Sequence, residues 1–165
     1  MAIKILLRTL LLSLLVTQSA LAQRGDPPVA KLDMMSAQTA MTAALAEADS
    51  SDSNVSIAIL DANGDLVLFT RKDGASARAV TSSQGKARAS LMFGMPSREV
   101  QAAIASGEPL TARISAPPGG AWAITPFQGA LPIVRNGEII GAIGVGGVAP
   151  SRDEEIAQAG LDALN

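Results

Sequence analysis

The spacing of apolar residues in the first half of the chain predicts a helix followed by a β-hairpin. Apolar side chains recur at helical spacing over Leu32–Ala48, which predicts a helix there. Two short apolar runs follow, Val55–Leu60 and Leu66–Thr70, and these are typical of strands. The polar segment Asp61–Asp65 between them is rich in turn-forming residues. The two runs are therefore expected to pair as a hairpin.

Helical spacing returns after this hairpin and predicts two consecutive helices. The first covers Ala77–Phe93 and is ended by Gly94. The second covers Arg98–Ser106, with Ser97 as its predicted N-cap and Gly107 at its end. We therefore expect two consecutive helices between the two strand-rich parts of the chain.

A second hairpin is predicted near the end of the chain. Asn136-Gly137 suits a type I′ turn because both residues tolerate φ > 0, so Leu131–Arg135 and Glu138–Val145 should pair as antiparallel strands. Three glycines that interrupt the second strand allow a close approach by another element. They indicate either tight packing of the C-terminal helix or the wall of a ligand site, and packing is favoured: Gly141, Gly144 and Gly146.

The last residues predict a C-terminal helix and complete the expected architecture. Ser151 followed by Glu154 reads as a capping box that opens a helix over Arg152–Leu164. Candidate strands at Ala112–Ala116 and Trp122–Ile124 are separated by the loop 117–120. Helices and strands in this arrangement predict an α+β fold with an antiparallel sheet of about five strands and helices on its faces.

The N-terminus has the pattern of a secretory signal peptide. Lys4 and Arg8 precede and flank a short apolar core, and Ala20-Leu21-Ala22 supplies a cleavage signal. We expect a signal peptide over residues 1–22, a leader over 23–31 and a single domain over 32–165. Together with the lack of a later membrane-spanning run, this predicts a periplasmic or secreted protein.

Composition limits the partners of this domain. Cleavage would remove two of the 13 basic residues and none of the 15 acidic ones, which takes the formal charge from −2 to −4. An acidic domain without a basic cluster argues against a nucleic-acid partner. The chain has no cysteine and only four aromatic residues, so its core must consist of small side chains. Such a core favours a homo-oligomer that buries further apolar surface.

The chemistry available to the chain is restricted, because it has no histidine, cysteine or tyrosine. The usual general base, thiolate nucleophile and imidazole metal ligand are therefore missing, and binding is favoured over catalysis. A Ser–Lys dyad remains conceivable on the helix that carries Ser82, Ser83, Lys86 and Ser90. The favoured alternative is a solvated helix face on which the lysine stem lies flat.

Two carboxylate pairs have structural explanations. Asp61 and Asp65 flank a hairpin turn, where aspartate stabilises the turn. Glu154 and Glu155 lie in the first turn of the predicted C-terminal helix, where acidic groups favour the helix dipole. Neither pair has the number of oxygen ligands that calcium needs. The sequence therefore assigns no metal ligands.

Three blocks of the sequence resemble one known family. They are VSIAILDANGDLVLFTRKDGA (55–75), SQGKARAS (83–90), and GALPIVRNGEIIGAIGVGG (129–147) with the helix that follows. The chain resembles the GlcG/HbpS-like haem-binding family, which includes the C-terminal domain of PduO-type proteins. The family pattern usually has a second glycine where Ala130 stands and a serine where Gly146 stands.

The resemblance implies a profilin-like fold, a homo-oligomer and haem as the cofactor. Haem iron is normally held by His, Cys, Met or Tyr, so only methionine is available here. Met92 and Met95 are the candidates, although methionine is more often a core filler. Arg71 and Lys86 match family blocks and are candidates for pairing with a haem propionate. Pro132 belongs to the third block and completes the predicted binding residues.

Other interpretations stay open. Arg71 could instead form a salt bridge with Asp73 that fixes the loop after the strand. The ligand could be another small anionic or aromatic metabolite, contacted by Arg71, Lys86, Trp122 and the backbone of 129–132. A proton-transfer enzyme that uses Lys86 or Asp73 is the third hypothesis.

Overall fold

The computed structural model describes residues 32–116 and 122–165. The predicted signal peptide and leader, and the loop 117–120, lie outside these residues. Four helices and four strands follow the order α-β-β-α-α-β-β-α: α1 Met34–Ser50, β1 Ser56–Asp61, β2 Leu66–Arg71, α2 Ala77–Phe93, α3 Ser97–Ser106, β3 Ala130–Arg135, β4 Glu138–Gly146 and α4 Pro150–Asp162.

The strands form one antiparallel sheet with the order β2-β1-β4-β3. The hairpin predicted around Asn136-Gly137 is confirmed, since these residues have φ values of 52° and 78° and Arg135 pairs with Glu138. Its strands and those of the first hairpin agree with the predicted ranges to within one residue at each end. The α+β class is thus confirmed.

The sheet is covered by helices on both faces. α1 and α4 pack on one face, where the main core includes Ile57, Ile143, Ile156 and four fully buried alanines of α1. α2 packs on the other face around a smaller cluster: Leu60, Ala87, Leu91 and Ala142. Small side chains in both clusters bring the helices close to the sheet. The functional surface described below lies on the α2 face.

Gly144 and Gly146 of β4 pack tightly against a helix, as predicted, but it is a different helix. A Cβ on Gly144 would lie 2.7 Å from the backbone nitrogen of Ala87 and 2.8 Å from its Cβ. A Cβ on Gly146 would lie 3.1 Å from Ser82 Oγ. Both neighbours belong to α2, so the expectation that these glycines receive the C-terminal helix was wrong. The C-terminal helix packs on the opposite face, where its Gly160 meets α1 and Ile143.

The candidate strands at Ala112–Ala116 and Trp122–Ile124 are not strands, so the sheet has four strands in the described part of the chain. Their surroundings explain the difference. The N–H of Arg113 donates to the Met92 carbonyl, and the N–H of Thr125 donates to the Gly85 carbonyl. These two backbone donors bond to α2 instead of a neighbouring strand, so the described residues on each side of the loop lie beside that helix.

Two predicted helix caps were also wrong. Ser97 is the first residue of α3 and not its cap, and its hydroxyl accepts a hydrogen bond of 2.9 Å from Ala130 N. α4 begins at Pro150, because proline has a φ suited to the first helical position. Ser151 therefore lies inside the helix, and the predicted capping box with Glu154 does not form.

Within residues 32–116 and 122–165, every helix is too short or too polar to cross a bilayer.

Candidate ligand-binding site

A buried ion pair joins α2 to α4. Lys86 Nζ lies 2.6 Å from Asp153 Oδ2, and the two side chains are only 5% and 2% exposed. Lys86 comes from the middle of α2 and Asp153 from the first turn of α4, 67 residues later. The predicted solvated helix face around Lys86 is therefore wrong, because the lysine stem passes between elements and its ammonium is covered.

The two oxygens of Asp153 have different partners. Oδ2 accepts from Lys86, and Oδ1 accepts a hydrogen bond of 3.2 Å from the N–H of Val148, just before α4 begins. Burial raises the pKa of the Asp153 carboxyl above its ordinary value, and the bond to Lys86 opposes part of that effect. The carboxylate thus holds the α4 start against α2 while it stays in an environment that favours its protonated form.

Gly129 closes one side of the pair. Its φ is +129°, and a Cβ there would lie 2.7 Å from Lys86 Nζ, 2.8 Å from Asp153 Cβ and 3.0 Å from the Val145 carbonyl oxygen. The Gly129 carbonyl also accepts a hydrogen bond from the N–H of Val145. A residue without a side chain is therefore required for the backbone to pass beside the ammonium.

The ion pair lines an open cavity of about 340 Å³, which we call the Lys86 cavity. This volume lies at the lower end of the range of about 300–1,000 Å³ typical of small-molecule sites. One wall carries Arg78 and the hydroxyls of Ser76 and Ser82. Phe127, half exposed, also lines the cavity and adds an aromatic side chain. The cavity combines charged, hydroxyl and apolar groups in a space suited to a small ligand.

The electrostatics of the Lys86 cavity favour an anion. Its walls include the first residues of α2 and of α4, two helices that begin at Ala77 and Pro150. A helix N-terminus carries a partial positive charge. The cavity is lined by two cationic side chains, Arg78 and Lys86, against one carboxylate, Asp153. The balance is therefore positive although the chain as a whole is acidic.

Of the predicted binding residues, only Lys86 lines this cavity. Arg71 lies at the end of the edge strand β2, where its Nε and Nη2 donate to the Ala75 carbonyl at 2.9 and 2.6 Å. The guanidinium thus fixes the loop after the strand, as the alternative interpretation expected, but through a carbonyl and not through Asp73. Pro132 is half buried on the other edge strand, opposite Ala142.

The methionine candidates lie away from this cavity, Met92 near the C-terminal end of α2 and Met95 between α2 and α3. Met92 is half buried, and its carbonyl accepts from Arg113 N. Met95 lines a separate groove beside α3, of about 550 Å³, together with Glu99, Glu108 and Leu110. The structure therefore places Met95 among carboxylates, away from Arg78 and Lys86.

The Ser–Lys dyad and the carboxylate pairs have structural partners. Ser83 Oγ donates to the Val80 carbonyl, and Ser90 Oγ donates to the Met95 carbonyl. Asp61 Oδ1 accepts from the backbone N–H of Asn63 and of Asp65, so this aspartate stabilises the turn as predicted. Within the described residues, no group of three or more carboxylates is arranged to hold a metal ion.

Asp153, Arg78 and Phe127 line the cavity but were not among the predicted site residues. The sequence contains no signal for Asp153, because acidic residues are common in the first turn of a helix. Arg78 lies in the first turn of α2, where a basic residue opposes the helix dipole, and this is the one local signal that was available. Phe127 lies in a segment without regular structure, so nothing in its neighbours pointed to the cavity.

The described residues do not fit methionine-ligated haem in the Lys86 cavity. Methionine is the one common haem ligand in this chain, and none of the described methionines lines that cavity. The groove that contains Met95 is lined by Glu99 and Glu108, whose charges repel the haem propionates. The Lys86 cavity therefore offers cations without a methionine, whereas the groove beside α3 offers a methionine next to two carboxylates.

Comparisons with known proteins agree on one family. The profile described as "Haem degrading protein HbpS-like" matches residues 32–162. Protein GlcG of Escherichia coli K12 is 32% identical over 114 residues, which covers 69% of this chain and 80% of that protein. The profile match includes α1 to α4 and therefore the whole site described above.

Solved structures give the same fold. A double mutant of HbpS from Streptomyces reticuli is 26% identical with a TM-score of 0.74, covering 88% of this chain and 96% of that one. The PduOC:heme complex is 22% identical with a TM-score of 0.71, covering 81% of this chain and 95% of that one. At that identity the second likeness concerns the fold alone.

Proposed function

This chain belongs to the family described as haem degrading protein HbpS-like, and from that premise we propose that it is a small-molecule-binding protein whose Lys86 cavity takes a ligand with a carboxylate group. The observation that carries the proposal is the meeting of Lys86, Arg78 and two helix N-termini around one cavity of ligand size. Cations and helix N-termini together favour carboxylates.

The geometry suggests how such a ligand would be held. Arg78 is exposed at the cavity wall and can meet the anion first, because its planar guanidinium matches a carboxylate. Lys86 is deeper and provides a desolvated positive charge, which interacts more strongly than an exposed one. Phe127 offers an apolar surface to the remainder of the ligand. An aromatic or apolar carboxylate fits these three contacts best.

Haem is the ligand that the family name and the PduOC:heme complex favour, and it carries two carboxylates. In this proposal its propionates would be the recognised groups, and iron ligation by methionine is not part of it. A free metabolite carboxylate would use the same contacts. Haem and a free metabolite would both be recognised through a carboxylate group, so the experiment must distinguish between them.

The test uses benzoate as a minimal aromatic carboxylate and hemin as the family ligand. Benzoate should bind saturably by calorimetry, and Arg78→Gln should weaken it about tenfold, the effect of one charge-assisted hydrogen bond. Arg135→Gln is the matched control, since Arg135 contacts Ser36 on the opposite side of the molecule and should leave affinity unchanged. A saturable Soret shift of hemin that benzoate reverses would identify haem as a ligand of this cavity.

Other outcomes are informative. Hemin binding that benzoate does not reverse would place haem elsewhere on the chain. Benzoate binding without a saturable hemin response would leave a metabolite carboxylate as the ligand. If neither probe saturates, the proposal fails.

Export and self-association are part of the proposed role. The pattern of residues 1–22 supports secretion, and N-terminal sequencing of the mature protein should then begin at Gln23. The small-residue core and the exposed apolar side chains of Met35, Val134 and Ile104 support a homo-oligomer. Light scattering that gives a monomer mass would contradict it.

A further inference from the structure

An anion that enters the cavity would approach Lys86, a cation that is already paired with Asp153. The ammonium already has a partner, because Asp153 Oδ2 is 2.6 Å away and both side chains are almost fully covered. A ligand carboxylate beside Lys86 would place two anions around one buried cation. Burying a charge that has no partner costs free energy. One of the two anions must therefore be protonated, or the ligand must be kept out of the cavity.

The hydrogen bonds of Asp153 allow it to be neutralised in place. Oδ2 is bonded to Lys86, while Oδ1 accepts from Val148 N. A proton added at Oδ2 removes the charge, and Oδ1 keeps its backbone partner. The start of α4 then stays where it is, and Lys86 is free to pair with another anion.

We propose that an anionic ligand replaces Asp153 as the partner of Lys86 and that Asp153 takes one proton from solvent in the exchange. This inference rests on the proposed carboxylate-binding function of the cavity. Before binding, ammonium and Asp153 carboxylate are paired; afterwards, the ammonium pairs with the ligand carboxylate and Asp153 is a neutral acid. One ligand anion and one proton enter together, so the charge of the site is unchanged.

The charged groups around Asp153 are consistent with this exchange. α2 contributes Lys86 and Arg78, and the segment 127–129 contributes no charge. On α4 itself, Glu154 is bonded to Arg98 of α3, and Arg152 is bonded to Glu47 and Glu155. Lys86 is thus the group that keeps Asp153 ionised, and burial already raises the pKa of the Asp153 carboxyl. Once Lys86 pairs with the ligand, protonation of Asp153 is favoured.

Calorimetry on the full chain tests the exchange with benzoate. Titrations in bis-Tris and in imidazole, two cationic buffers with different ionisation enthalpies, give the number of protons taken up per benzoate. We expect close to one proton at neutral pH, where benzoate is ionised. Affinity should then fall by about tenfold for each unit of rising pH, because uptake of one proton couples binding to pH with that slope.

Variants assign the proton to Asp153. Asp153→Asn should bind benzoate with no proton uptake and no pH slope, since asparagine is permanently neutral. Glu154→Gln is the matched control, because it removes the adjacent carboxylate outside the cavity, and it should keep the proton uptake of the wild type. The same uptake in Asp153→Asn would overturn the assignment.

The wild-type result stands even if a variant fails to fold. Saturable benzoate binding with no proton uptake overturns this inference and leaves the proposed function intact. No saturable binding overturns both. Proton uptake near one, lost with Asp153, supports both.

Discussion

Gly129 lies so close to Lys86 that a side chain at position 129 has no room: its Cβ would be 2.7 Å from Nζ. The backbone there has φ +129°, a conformation that residues with a side chain rarely adopt. The Lys86–Asp153 pair can therefore form only because the residue beside it is glycine. Gly129, the first residue of the glycine-rich block 129–147, is thus needed for the ion pair that lines the cavity.

Gly129→Ala should destabilise the protein and disturb the cavity. Steric overlap in a packed site costs about 1–3 kcal/mol, and backbone strain adds to it. Gly107→Ala is the matched control, since Gly107 also has positive φ but nothing within 4 Å of the added Cβ. Chemical denaturation should show the larger loss for Gly129→Ala, with benzoate binding weakened in that variant alone. Equal losses of stability in the two variants would mean that the steric clash with the ion pair is relieved without a cost in free energy.

Lys86→Met should lower the free energy of unfolding by about 3–5 kcal/mol, because it leaves a buried carboxylate without its partner. Lys72→Met is the matched control: Lys72 pairs with the exposed Asp49 at the same distance of 2.6 Å, and loss of a surface pair costs about 0–1 kcal/mol. The double variant Lys86→Met/Asp153→Leu should recover much of the loss. A Lys86→Met effect no larger than that of the control would show that water reaches the site.

Local patterns were enough to predict most of the fold. The turn at Asn136-Gly137 depends on two adjacent residues, and α2 was predicted with its observed ends because Phe93 is followed by Gly94. The site was not predictable in this way, since Lys86 and Asp153 are 67 residues apart. Periodicity indicated that Lys86 is on a helix, but only the fold, which brings Asp153 at the start of α4 to Lys86, determines that its ammonium is covered.

Local patterns also could not predict which elements would contact each other. This explains two wrong predictions, the strands at 112–116 and 122–124 and the contact between the β4 glycines and the C-terminal helix. Residues 112–116 resemble a strand, but the backbone N–H of Arg113 donates to Met92 of α2, which the sequence does not indicate. Gly144 indicated a close approach without indicating which helix makes it. Local chemistry specifies elements, whereas the choice between two faces of a sheet depends on every residue of both faces.

Asp153 should make stability decrease as the pH rises. Its pKa is raised in the folded protein above the ordinary value of 3.8, mainly by burial, so the folded state binds the proton more tightly than the unfolded state. This contribution is complete below pH 3.8 and is lost as the pH rises through the folded pKa. The difference in unfolding free energy between wild type and Asp153→Asn should therefore fall with rising pH. A difference that grows with pH would mean that attraction to Lys86 outweighs burial.

Substitution of the methionines should leave hemin binding unchanged. Met92 is near the C-terminal end of α2, Met95 follows that helix, and neither lines the Lys86 cavity; Met95 is beside Glu99 and Glu108. Met92→Leu and Met95→Leu conserve volume and should each change stability by less than about 1.5 kcal/mol. If propionates are the recognised groups, the Soret titration should be the same in both variants and weaker in Arg78→Gln. Loss of the Soret shift in Met95→Leu would instead place haem in the groove beside α3. Loss in either variant would indicate methionine as the iron ligand and would separate haem binding from the Lys86 cavity.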